Sequence, residues 1–125
     1  MLELYHFQVV GVGSGESGVE QATSFLPDLI VCDVAMPEMD GVEATRRIVQ
    51  SAPGIRVLIL SMFLSAEHIH RSLQAGARGY VLKESAGDEV VEAIRALRAG
   101  KRYLSHRITE AMIDNYLSEE SRLSP

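Results

Sequence analysis

The chain of 125 residues contains a single cysteine, Cys32, so no intrachain disulfide can form. No apolar run approaches the roughly 20 residues that a membrane-spanning helix requires, and the amino terminus has no secretory leader pattern. Basic residues form no block, and the formal net charge is −5, which disfavours nonspecific attraction to nucleic acid. Low-complexity tracts are absent. These absences argue against a disulfide scaffold, a spanning segment and a basic nucleic-acid arm, and the expectation is a cytoplasmic protein.

A content of 46% hydrophobic and 23% charged residues is that of an ordinary globular protein. At this length one domain buries roughly two-thirds of the surface its unfolded chain would expose. The chain is organised around residues 27–41, PDLIVCDVAMPEMDG. Leu29, Ile30, Val31 and Cys32 form an apolar run of strand length between the turn formers Pro27-Asp28 and Pro37, Asp40 and Gly41. Such a run predicts a strand buried on both faces, as in a parallel sheet, with Cys32 a small buried hydrophobe. Asp33 stands at its carboxyl end, where open α/β sheets hold their chemistry. Taken alone, it reads first as a turn cap.

Along the chain, residues 1–7 are expected to be the last turns of a helix, 8–12 a strand, 13–18 a Gly-rich turn and 19–25 a short helix. After the central strand, residues 42–52 predict a helix with Val42, Thr45, Ile48, Val49 and Ala52 on one stripe. Residues 57–60 form a second apolar strand leading into Ser61. A helix over 66–75 follows, with Ser65 as N-cap and Gly76 at its end. Gly79, Tyr80, Val81 and Leu82 make a further strand, terminated by Lys83. Ser85 and Asp88 resemble a capping box for a helix over 88–99, closed by Gly100. Residues 103–117 predict one more helix, with Leu104, Ile108, Met112 and Tyr116 on a stripe and Ser105 a candidate cap; 118–125 predict a polar linker tail.

Strands alternating with helices predict an α/β fold, a parallel sheet with helices on both faces. Asp33, Ser61 and Lys83 each end a strand, and their separations of 28 (33 to 61) and 22 (61 to 83) are each about one β-α-β repeat. All three therefore converge on one sheet edge. His6, His68, His70 and His106 are expected on the surface, and His68 with His70 is a poor metal pair because i and i+2 do not face each other on a helix.

An apolar strand ending in Asp33, then Met36-Pro37, Met39-Asp40-Gly41 and a helix opening Val42-Glu43-Ala44, resembles the phosphoacceptor segment of response-regulator receiver domains. The runs from Ala75 to Lys83 and from Gly100 to Ser105 are similar to those of NarL/FixJ-type, LuxR-class regulators. The resemblance covers Gln8 to about Gly100. It implies a flavodoxin-like, doubly wound sheet. It also implies phosphorylation of Asp33, with Ser61 and Lys83 binding phosphoryl oxygens and Tyr80 the switch aromatic that turns inward as Ser61 moves. Asp33 and the backbone carbonyl of Ala35 would be Mg²⁺ ligands, while Pro37 and Gly41 shape the loop. The implied partners are a sensor histidine kinase and a second copy in a homodimer, with no membrane contact. DNA would be reached only through a helix-turn-helix domain beyond the linker, absent from these 125 residues, so that 1–100 is the receiver and 101–125 a linker helix and tail.

One departure stands out. Receivers begin with an extra strand ending in two adjacent acidic residues that hold Mg²⁺, whereas before Glu16 the only acidic residue is Glu3. The first strand is therefore expected to be missing, metal binding weakened, and the sheet open where that strand would lie, between the strands at 8–12 and 29–32. A pseudo-receiver acting as a dimerisation module is the alternative. So is a nucleotide-binding domain, since Gly13-x-Gly15-x-x-Gly18 precedes a helix and Asp33 lies 20 residues past Gly13; that second alternative leaves Ser61 and Lys83 unexplained.

Overall fold

A computed structural model describes residues 29–33, 41–62, 64–84 and 87–123. The elements are β1 (Leu29–Asp33), α1 (Gly41–Ser51), β2 (Arg56–Ser61), α2 (Ala66–Gln74), β3 (Gly79–Leu82), α3 (Gly87–Arg98), β4 (Tyr103–Leu104) and α4 (His106–Leu123). The expected helices over 1–7 and 19–25, the strand at 8–12 and the Gly13 to Gly18 turn lie outside the described residues. Among the described residues four strands form one sheet in the order β1-β2-β3-β4, every pair parallel.

Both faces of the sheet are apolar because the strands are apolar at successive positions, and the pleat sends alternate side chains to opposite sides. On one face Ile30 and Cys32, Val57 and Ile59, and Tyr80 and Leu82 meet Ala44 and Ile48 of α1, Ile69 of α2 and Ile108 of α4. On the other, Leu29, Val31, Leu58, Leu60 and Val81 meet Ala93, Ile94 and Leu97 of α3. Helices thus cover both faces. Fully burying side chains such as Leu58, Ile59 and Ile69, all 0% exposed, contributes about 1.5–3 kcal/mol each. Cys32 is a buried free thiol, 5% exposed, as its place in the apolar run predicts.

Local chemistry sets the element ends. Ser65 is the N-cap of α2, its hydroxyl accepting the His68 amide at 3.4 Å. Gly76, just past α2, has φ +113°, a left-handed conformation that favours glycine. Ser85 lies outside the described residues, so the capping box has no counterpart in them, but Asp88 and Glu89 do lie in the first turn of α3, where the helix dipole favours acids.

The carboxyl-terminal part differs from expectation. Tyr103 and Leu104 are not helical but form β4, held by the Tyr103 amide donating to the Arg78 carbonyl at 3.1 Å and the Ser105 amide to the Tyr80 carbonyl at 3.2 Å. Ser105 directly precedes α4, yet its buried hydroxyl has no hydrogen-bond partner. Its carbonyl instead accepts both the Thr109 amide at 2.9 Å and the Thr109 hydroxyl at 3.2 Å. Ile108 and Met112 pack inward as their spacing predicts, whereas Tyr116 is 65% exposed. The helix runs on to Leu123 through residues expected to be a polar tail. The packed unit therefore includes residues beyond Gly100.

Candidate functional site

Asp33 is the last residue of β1 and is the register partner of Leu60. Ser61 is the last residue of β2 and pairs with Leu82, so Lys83 follows one step beyond the same rung. The Lys83 amide closes that rung by donating to the Ser61 carbonyl at 2.8 Å. The expected convergence is what parallel pairing produces: three adjacent strands end together, and Asp33, Ser61 and Lys83 occupy the carboxyl edge.

Ser61 is 0% exposed and shares the strand parity of Val57 and Ile59, which places it on the α2 face with Tyr80. Tyr80, also 0% exposed, puts its hydroxyl 3.3 Å from Nδ1 of His68 in α2, and the two rings meet edge to face at 6.3 Å and 77°. Burial pushes the Tyr80 phenol above its usual value, and a hydrogen bond with the Ser61 side chain works in the opposite direction. Ser61, Tyr80 and His68 thus form a connected polar path from the strand edge to α2. Lys83 is exposed, and Glu84 beside it pairs with Arg107 of α4 at 3.7 Å. The Lys83-Glu84 peptide is trans.

Ala35 and Pro37 lie outside the described residues. Gly41 opens α1, is buried, and accepts the Thr45 hydroxyl on its carbonyl at 2.8 Å. Among the described residues no group of three or more His, Cys, Asp or Glu could hold a metal ion. Any Mg²⁺ site would draw on Asp33 and residues beyond the described ones.

His68 is the polar partner that sequence reasoning placed on the surface and left unassigned. Its contact with Tyr80 spans a helix-to-strand crossover, so periodicity along α2 carries no sign of it. A separate cleft of about 300 Å³, lined by Val49, Arg56, Gly76, Arg78 and Gly100 among others, lies at the opposite edge, where strands begin and helices end. There the Arg78 guanidinium donates to the Gly100 carbonyl at 3.1 Å. Such cations complement helix carboxyl termini, and the cleft is remote from the Asp33 edge.

Residues 1–95 match the family model described as the response regulator receiver domain. The transcriptional regulatory protein DegU of Brevibacillus brevis is 38% identical over 111 residues, covering 88% of this chain and 47% of that protein. The response regulator GacA of Pseudomonas viridiflava is 41% identical over 106 residues, covering 84% of this chain and 50% of its own length. The chain thus spans about half the length of these curated relatives. Among solved structures, a two-component response regulator of the LuxR family from Aurantimonas sp. SI85-9A1 superposes with a TM-score of 0.80 at 32% identity, covering 84% of this chain and 75% of that one. Together with the parallel sheet and its shared carboxyl edge, these matches show that the chain belongs to the response regulator receiver domain family, in its LuxR-class branch.

Proposed function

We propose that this chain is a phosphoacceptor: a sensor histidine kinase transfers a phosphoryl group to Asp33, and the resulting charge switches an attached transcription-regulating output. The observation that carries this is the meeting of Asp33, Ser61 and Lys83 at one edge of three parallel strands, with Tyr80 buried behind Ser61. In the transfer a carboxylate oxygen of Asp33 forms the new P–O bond while the P–N bond to the kinase histidine breaks, and the departing imidazole nitrogen takes up a proton. Such a transfer asks the protein for a positioned nucleophile and charge neutralisation rather than further covalent chemistry. Lys83 supplies a positive charge to one phosphoryl oxygen, and the Ser61 hydroxyl donates to another.

Mg²⁺ would be held by Asp33, the Ala35 carbonyl and water, and when bound it would neutralise phosphoryl charge; none of the steps assigned to Ser61, Tyr80 or Lys83 passes through it. The domain assignment is a receiver over 1–100 with a connection over 101–125, the latter packed onto the receiver by Ile108. The whole protein is cytoplasmic, homodimeric and transcription-regulating in this proposal. No described helix is long and apolar enough to cross a membrane. The domain is not an enzyme beyond accepting a phosphoryl group from small donors and losing it again.

Intact mass after incubation with a small-molecule phosphodonor and Mg²⁺, beside an Asp33→Asn variant, tests this. One phosphoryl group is gained by the parent only. Gain by the variant assigns the acceptor elsewhere, and no gain by either favours the dimerisation module.

A further inference from the structure

Helix α4 has two halves of different character. Its first turn is anchored at the carboxyl edge, where Arg107 pairs with Glu84 just past β3. Ile108 and Met112 then pack into the core, so the helix runs back toward the edge where the strands begin. From Ile113 to Glu119 every residue is exposed. Ile113, Tyr116 and Leu117, 52%, 65% and 57% exposed, stand at i, i+3 and i+4 and share one face, an apolar stripe that nothing among the described residues covers. The stretch Ile113–Leu123 is shorter than the roughly 12–15 residues below which an isolated helix is marginal in water. A helix of this kind calls for a packing partner.

Charge says which partner. From Ile108 to Ser121 the sequence carries Glu110, Asp114, Glu119 and Glu120 and no Lys or Arg. The connections at the edge where strands begin are the reverse: 52–56, 75–78 and 99–102 carry Arg56, Arg78, Lys101 and Arg102 and no acid. Among the described residues none of Asp114, Glu119, Arg56, Lys101 and Arg102 forms an ion pair. We propose that the exposed half of α4 is an interface with a second copy of this chain: the two stripes pack antiparallel about a two-fold axis, and the acidic end of each helix lies against the other copy's basic edge. This rests on the homodimer of the proposed function and names its surface. One chain carries both the acidic stretch and the basic edge, so a two-fold axis makes the same contact twice. Parallel pairing sets the acidic stretches side by side, which their like charge opposes. Antiparallel pairing carries each of them to cations that lack a partner. The stripe supplies the apolar centre, and the charges form a rim that sets direction.

Sedimentation equilibrium of the full chain tests this. Lys101→Glu with Arg102→Glu makes the edge acidic, and Asp114→Lys with Glu119→Lys makes the helix basic. All four side chains are exposed, so the fold, checked by circular dichroism, stays that of the parent. The parent is a dimer that high salt loosens, since exposed rim charges are screened. Each double variant alone has a dissociation constant raised at least about tenfold. An equimolar mixture of the two recovers the parent's affinity, because each helix then meets an edge of opposite charge. Tyr116→Ser with Leu117→Ser weakens association, and mixing with either charge variant brings no recovery. Dimers unmoved by both charge reversals, or weakened variants that do not recover on mixing, overturn this interface while the homodimer stands. A parent that is monomeric throughout removes both. A monomeric parent that binds a short DNA duplex, with binding lost in the Lys101→Glu and Arg102→Glu variant, gives the basic edge to nucleic acid instead.

Discussion

The Lys83 amide donates to the Ser61 carbonyl at 2.8 Å, so the main chains at the ends of β2 and β3 are tied together just where their side chains diverge in exposure. Ser61 is sealed in the core and Lys83 lies in solvent. The tie is made by backbone, which means that replacing either side chain leaves the strand ends in register. A substitution at Lys83 therefore isolates charge from architecture.

Lys83→Ala is expected to change unfolding free energy by no more than about 0.5 kcal/mol, the usual scale for an exposed side chain away from special backbone features. Phosphorylation by a small donor remains possible, while the accompanying change at Tyr80 is lost. Urea denaturation together with tyrosine-resolved NMR checks both halves. A variant that unfolds early, or that still moves Tyr80 on phosphorylation, contradicts this role for the ammonium group.

Tyr80 makes stability fall in alkali. Its phenol is pushed above the ordinary value of 10.0 by burial, so the folded protein holds that proton more tightly than the unfolded chain does. The associated stability is fully present below pH 10 and is lost as pH rises through the folded value. Tyr80→Phe is less stable than the parent at about pH 8, by roughly 0.5–1.5 kcal/mol for the lost hydrogen bonding. As pH rises above 10 the gap narrows, because only the parent carries this titration. Tyr103 is also raised, chiefly by burial and then by Glu89 and Glu92, but it is present in both proteins and cancels in the comparison. Denaturation midpoints of the pair across this range check the sign.

Much of this architecture was legible because the signals are local. Leu29 to Cys32, Val57 to Leu60 and Gly79 to Leu82 announce buried strands by unbroken apolarity, and spacing alone brings Asp33, Ser61 and Lys83 to one edge. What escaped depends on contacts distant in sequence. Tyr103 and Leu104 are too few to show alternation, and Leu104 falls in helical step with Ile108 and Met112, so the stripe concealed a strand whose hydrogen bonds come from Arg78 and Tyr80. From Ile113 to Glu119 every residue of α4 is exposed, so no buried stripe carries the helical pattern onward. Ser105 has the right residue type for a cap, but its hydroxyl is buried where no donor or acceptor reaches it. His68 has an ordinary surface pattern, and only the fold sets it beside Tyr80.

Gly76 illustrates a position where backbone and packing agree. Its φ is +113°, and a Cβ there would lie 2.9 Å from a methyl carbon of Val49 in α1. Gly76→Ala is expected to cost at least about 1–2 kcal/mol from the left-handed backbone alone, with the Val49 clash adding to it. Val49→Ala in the Gly76→Ala background recovers the clash but not the backbone strain. Thermal unfolding of the two single variants and the double separates the contributions; full recovery would mean that φ carries no cost.

Helix α4 offers a final contrast between two isoleucines on one element. Ile108 is 0% exposed and belongs to the core that contains Ile59, Ile69 and Tyr80, whereas Ile113 is 52% exposed. Truncation of a fully buried isoleucine removes both transfer free energy and packing, so Ile108→Ala is expected to cost about 2–5 kcal/mol. Ile113→Ala is expected to stay within about 0.5 kcal/mol, since its side chain already meets water. If denaturant titration instead ranks the two alike, α4 is not docked through Ile108. The helix would then be a connector only, and the α2 face of the sheet would lose one of its walls.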